Sequence, residues 1–155
     1  MEDIRLVDIN KSNWMDVIFM TTNPDGQATI CEEFVASNAL SIVQSVFEEN
    51  WTVKAVYADN ILVGFTMYGY NDKESFYEIC RIMIDRKHQR KGYGKQALRL
   101  MIDELRQKSD CNGIYLSTDP NNRKAINLYE GFGFKNTGKE IDDETLYYLT
   151  INKQV

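Results

Sequence analysis

The chain has 155 residues, 43% hydrophobic and 12% aromatic, enough to bury a single core, so one domain over residues 1–155 is expected. Its formal net charge of −5 at pH 7 argues against non-specific nucleic-acid binding, whose affinity comes from neutralising phosphates. No apolar run nears the roughly 18 residues that span a bilayer, and Met1-Glu2-Asp3 opens without a basic or apolar leader, so a cytoplasmic protein with no membrane partner is expected.

Ile4 to Val7 reads as a first strand. Trp14, Val17 and Ile18 have helical spacing behind the caps Asn10 and Ser12, and Pro24-Asp25-Gly26 ends that helix. A second helix runs from Ile30 through Phe34, Val35, Asn38, Ala39, Ile42, Val43 and Val46, with Glu32 and Glu33 off the apolar stripe. From Thr52 the period changes to that of strands. Thr52 to Ala58 and Ile61 to Tyr70 flank Asp59-Asn60, a tight-turn pair, and after the turn 71–75 a third strand runs from Phe76 to Ile84. The three cysteines, Cys31, Cys80 and Cys111, fit neither a disulfide framework nor a metal knuckle and read as reduced core residues, so no metal is expected.

Next comes Gln89-Arg90-Lys91-Gly92-Tyr93-Gly94, a basic glycine loop opening an amphipathic helix. Glycines let an anion approach the backbone, and first-turn N–H groups point at it with the positive end of the helix dipole behind them. Residues 86–99 hold Arg86, Lys87, Arg90, Lys91, Lys95 and Arg99 and no acid, leaving 12 basic against 23 acidic side chains elsewhere. This basic island in an acidic chain marks a phosphate site. The helix shows Ala97, Leu98, Met101, Ile102 and Leu105 on one face, with Glu104 and Lys108 as an i,i+4 pair, and Asn112-Gly113 stops it. Ile114 to Ser117 is then a strand parallel to the one before the loop, by the right-handed crossover rule. Arg123 to Glu130 is a short helix, and Phe132-Gly133-Phe134 leads to a last strand, Thr145 to Ile151.

From Ile4 to Ile151 the chain resembles the GCN5-related N-acetyltransferases. Gln89, Gly92 and Gly94 meet the family's acetyl-CoA signature, and Asn122, Ala125, Tyr129, Gly133 and Phe134 meet a second one about thirty residues on. The resemblance implies an α/β (α+β) fold: a mixed, mostly antiparallel central sheet with a splayed parallel strand pair and flanking helices. It further implies that the backbone of Ile82, Met83 and Ile84 pairs with the pantetheine arm of acetyl-CoA. The pyrophosphate would lie on the amides of Arg90, Lys91, Gly92, Tyr93, Gly94 and Lys95, with Asn122 and Ala125 beside the arm and Tyr129 beside the sulfur.

The implied reaction moves the acetyl group directly to a primary amine. An alkylamine is mostly protonated near neutral pH and must lose a proton to attack, so a base is needed, and a phenol suits the departing thiolate as acid. Tyr129 is the implied acid. Glu78 stands where histone-acetylating members carry a catalytic glutamate, whereas polyamine-acetylating members place an acid one or two residues later, at Ile79 and Cys80 here. The base is therefore Glu78 or a more distant acid reached through water, and otherwise Glu78 is the solvent-facing acid of a half-exposed strand. Arg81 is expected to pair with an acid such as Glu78 or Asp85, ahead of the alternative that it faces the cofactor cleft, and His88 to be a loop residue.

The strings Phe34 to Ile42 and Arg81 to Asp85 resemble those of bacterial spermidine/spermine and diamine acetyltransferases. Glu32, Glu33, Glu48, Glu49, Asp72, Glu74 and Glu78 would give a polycation an acidic rim. The alternatives are another amine, such as a peptide or protein N-terminus, a lysine or an aminated antibiotic, and a non-catalytic acetyl-CoA-binding module. A small-molecule amine is the expected partner, and a homodimer is left open. A Rossmann unit on Gly92 to Ala97 is disfavoured, because seven polar residues, Asp85 to Lys91, separate the strand from its first glycine.

Overall fold

The computed structural model describes residues 2–22 and 37–153. Their order is β1 (Ile4–Asp8), α1 (Trp14–Phe19), α2 (Asn38–Phe47), β2 (Trp51–Ala58), β3 (Ile61–Asn71), β4 (Phe76–Ile84), α3 (Tyr93–Arg106), β5 (Gly113–Thr118), α4 (Arg123–Gly131), β6 (Lys135–Ile141) and β7 (Glu144–Thr150). A 3-10 turn, Arg86–His88, joins β4 to the glycine loop. The strands form one sheet in the order β1-β2-β3-β4-β5-β7-β6, antiparallel throughout except for β4 and β5. The expected mixed sheet with one parallel pair is what forms.

Each face of the sheet takes its own helices. The apolar stripe of α3, Leu98, Met101, Ile102 and Leu105, packs with Ile126 and Tyr129 of α4 against Ile79, Ile114, Leu116 and Tyr147. On the other face, Val17 and Met20 pack with Phe65, Met67 and Met83. Full burial of such side chains contributes about 1.5–3 kcal/mol each, so these clusters fix which face each strand residue takes. Asp59 turns the β2–β3 hairpin at φ +50°, a conformation that aspartate tolerates.

Several details differ from the sequence reading. The N-cap of α1 is Asn13, because the Asn10 side chain is occupied with the amide and hydroxyl of Ser12. α3 ends at Arg106, so Lys108 lies beyond the helix, and Glu104 accepts the Tyr68 hydroxyl. β6 was not foreseen: Lys135 to Ile141 is mostly exposed, so no apolar alternation marks it. It forms because the Asp142-Asp143 pair, both at positive φ, turns the chain back into β7. The expected turn at 24–26, the helix start from Ile30 and Cys31 lie outside the described residues.

The β2–β3 contact supplies a stability test. Gly69 has φ +155°, and an added Cβ would stand 2.0 Å from the Asn50 carbonyl oxygen, itself bonded to the Tyr70 amide. Gly69→Ala is expected to cost about 2 kcal/mol or more and to lower Tm by roughly 5 °C or more. A melt within a degree of the parent would show that the strands part there at no cost.

Candidate active site

β4 and β5 are paired only at Glu78↔Tyr115, although both run on in the same direction. They form a V with its vertex at that pair. The register of β4 on β3 goes from Tyr68↔Ile79 to Met67↔Arg81, so Cys80 is the extra residue of a β-bulge. Ile114 and Leu116 point into the α3 core, which leaves Tyr115 and Ser117 on the opposite face. Phe76 stacks on Tyr115 with centroids 4.2 Å apart, and Glu78, two residues on, shares their side.

Glu78 is buried, 8% exposed, and accepts a 2.7 Å hydrogen bond from Asn71 Nδ2. It is not the solvent-facing acid of a half-exposed strand. Burial pushes its carboxyl above the ordinary range, opposed by the Asn71 bond and the Arg81 charge. Arg81 makes no ion pair with Glu78 or Asp85; its Nη1 donates to the Cys80 carbonyl at 3.1 Å and lies 2.9 Å from Cys80 Sγ. Cys80 is half-buried rather than core, and burial pushes its thiol up to about 11. Cys111 is the buried core residue expected.

Tyr129 approaches from α4, edge-on to Phe134 with centroids 6.1 Å apart. Burial raises its phenol to about 12, with the charge of Glu144 adding to the effect. Glu144 begins β7, and its Oε2 accepts a 2.6 Å hydrogen bond from Ser117 Oγ. Sequence reasoning missed Ser117 and Glu144. The one available signal was the acidic run Asp142 to Glu144 just before the last strand.

Beyond the other end of β4, Gln89 Nε2 donates to the Ile84 carbonyl at 3.0 Å and Asp85 accepts from the Lys87 amide at 3.1 Å, which shapes the loop. Arg90 and Gly92 take left-handed φ of +65° and +80°. Gly92 is the N-cap of α3, and among the described residues no side chain caps the first-turn amides. At Gly94 an added Cβ would meet only Ile84 Cγ1, at an ordinary 3.7 Å. Protein packing therefore does not require a glycine there; what it leaves is a bare backbone beside uncapped amides, the donor set a pyrophosphate fits.

Two of the expected site residues also bond within the protein. The Tyr93 side chain is buried and its hydroxyl donates to Glu2, so only its amide faces the loop. Asn122 caps α4 by accepting from the Ala125 amide at 3.2 Å, which commits its carbonyl oxygen. Met83 packs against the α1 side of the sheet. Among the described residues no cluster of His, Cys, Asp or Glu is placed to hold a metal, and no helix is long and apolar enough to cross a membrane.

The parallel pair thus parts after a single bridge, a buried tyrosine comes from α4, and a helix start with a bare glycine backbone lies beyond β4. The chain belongs to the acetyltransferase (GNAT) family, whose sequence profile matches residues 20–134. It is 34% identical over 139 residues to the spermine/spermidine N(1)-acetyltransferase of Bacillus subtilis strain 168, covering 81% of this chain and 91% of that one. Its fold is similar to a spermidine N-acetyltransferase of Vibrio cholerae solved with CoA and spermine (TM-score 0.71, 16% identity, 96% and 95% of the two chains). It is similar as well to the ribosomal-protein-S18-alanine N-acetyltransferase of Escherichia coli (TM-score 0.71, 17% identity, 99% and 97%). The chain is an acetyl-CoA-dependent acetyltransferase, and acetyl-CoA is its cosubstrate.

Proposed function

We propose that the acceptor is a primary amine of a polyamine such as spermidine or spermine, with Tyr129 as the acid facing the leaving sulfur. In this reading the amides from Arg90 to Lys95 hold the pyrophosphate, and the backbone of Ile82 to Ile84 holds the pantetheine arm. The observation that carries the acceptor is electrostatic. Burial raises the Cys80 thiol most and the Arg81 charge opposes it; Glu78 on β4, Glu48 at the end of α2 and Glu144 on β7 each add to the rise, so three elements direct negative charge at one point beside the V. The phosphate-binding basic island lies at the far end of β4. A polycation gains from several carboxylates at once, whereas a monoamine gains from one. The 34% identical relative, named for spermine and spermidine, supports the same reading.

Purified protein, acetyl-CoA and an amine panel read by thiol release test it. Spermidine or spermine is expected to give a far higher kcat/KM than a monoamine of similar length. The advantage should shrink as salt rises to physiological strength, where the Debye length falls to about 8 Å. Equal or better use of monoamines or peptide N-termini at every salt concentration would rule the polyamine out and leave the acetyltransferase standing.

A further inference from the structure

Two carboxylates stand beside the V, and their settings differ. Glu78 is at the vertex, where the strands are still paired, and is held by Asn71. Glu144 is at the open end. The register Thr118↔Thr145 puts it level with the last residues of β5, and its carboxylate reaches back to Ser117, two residues beyond the vertex partner Tyr115 and on the same face. Ser117 Oγ spends its one hydrogen on Glu144, so toward any further partner it can only accept. A hydroxyl that gives its proton to a carboxylate and accepts on its other side is a proton relay.

We infer that the acceptor amine delivers its proton to Ser117 Oγ as Ser117 passes its own to Glu144, so that Glu144, acting through Ser117, is the proton acceptor of the transfer reaction. The inference rests on the acetyltransferase activity and not on which amine is the acceptor. The ammonium gives up one proton along this path, and Glu144 releases it to water. The neutral nitrogen forms the C–N bond to the acetyl carbon as the C–S bond breaks; Tyr129 protonates the sulfur and recovers its proton from the nitrogen. One proton leaves to solvent per turnover, and atoms and charge balance. Charged and titratable groups beside Glu144 among the described residues include Cys80 of β4 and Tyr129 of α4, both of which feel its charge, and Asp142 and Asp143 of its own hairpin; Arg81 and Glu78 act on the same Cys80 thiol. Glu78 then serves to attract the amine at the vertex rather than to take its proton.

The test is a set of pH profiles, run with whichever amine the wild-type protein uses best. Glu144→Gln and Ser117→Ala are expected to lower kcat at pH 7 by about 30-fold or more, the deficit closing as pH nears the amine's own pKa of roughly 10. Ser117→Thr, which keeps a hydroxyl, should restore kcat to within about threefold. Glu78→Gln should mainly raise KM. Stabilisation by acetyl-CoA should persist in every variant, which shows that each is folded; should Ser117→Ala fail that check, Glu144→Gln and Ser117→Thr decide. Glu144→Gln within twofold of wild type, a deficit independent of pH, or a pH-dependent loss carried by Glu78→Gln alone would overturn the relay. None of those results bears on polyamine preference, which the amine panel decides separately.

Discussion

Gly94→Leu is expected to abolish stabilisation by acetyl-CoA while leaving the melting temperature of the free protein unchanged or slightly raised. A ligand at 100 times its Kd stabilises the folded state by about 2.7 kcal/mol, which for a chain of this size is roughly 5–10 °C in Tm. That response should be plain in the parent and exceed the response to NAD at equal concentration. In the variant the backbone has no reason to object. Gly94 is helical, an added Cβ touches only Ile84 at an ordinary distance, and leucine has a better helix propensity than glycine. The side chain would instead occupy the space over the first-turn amides. Gly92 makes a poorer test, since φ +80° strains any substitute before a ligand arrives. A full acetyl-CoA response in Gly94→Leu would move the pyrophosphate away from this loop, and a larger response to NAD would argue for dinucleotide binding.

Tyr129→Phe should lower kcat by about 100-fold or more with little change in acetyl-CoA affinity. The phenol, pushed up to about 12, keeps its proton over the whole range in which an alkylamine becomes neutral. A free thiol has a pKa of roughly 8.5, below that of the phenol, so outright transfer from phenol to thiolate runs uphill. Tyr129 is therefore expected to act first as a hydrogen-bond donor to the developing charge and to yield its proton only as the nitrogen supplies another. Single-turnover and steady-state rates of the variant would check this. Turnover within a factor of about two of wild type would remove Tyr129 from the chemistry.

The fold was legible wherever burial imposes a period. The stripe of α3, the hairpin at Asp59-Asn60, and the strands Phe76 to Ile84 and Ile114 to Ser117 could be read because each buries a face that the sequence must make apolar. β6 could not, because its residues are exposed and its position depends on a turn and on the edge of β7. The loop and Tyr129 were visible as fixed spacings between neighbours in sequence. Ser117 and Glu144 lie 27 residues apart, and only the β5–β7 register brings them together. The bonds of Asn13 to the Asn10 amide and the Asp8 carbonyl, the cap made by Asn122 and the buried side chain of Tyr93 were hidden for a related reason: residue type shows what a side chain can bond, and packing decides what it does bond.

The bulge at Cys80 divides the labour along β4. In an unbroken strand Glu78, Cys80, Ile82 and Ile84 would share one face, putting the Glu78 carboxylate on the face that packs on α3. The extra residue resets the alternation. Cys80 falls on the side of Glu78, while Ile82 and Ile84 turn toward α3 and the neighbouring core. Residues upstream of the bulge can thus change on one face of the sheet while those downstream keep packing toward α3 on the other. One strand therefore carries two surfaces whose composition can vary independently, joined by a single unpaired residue.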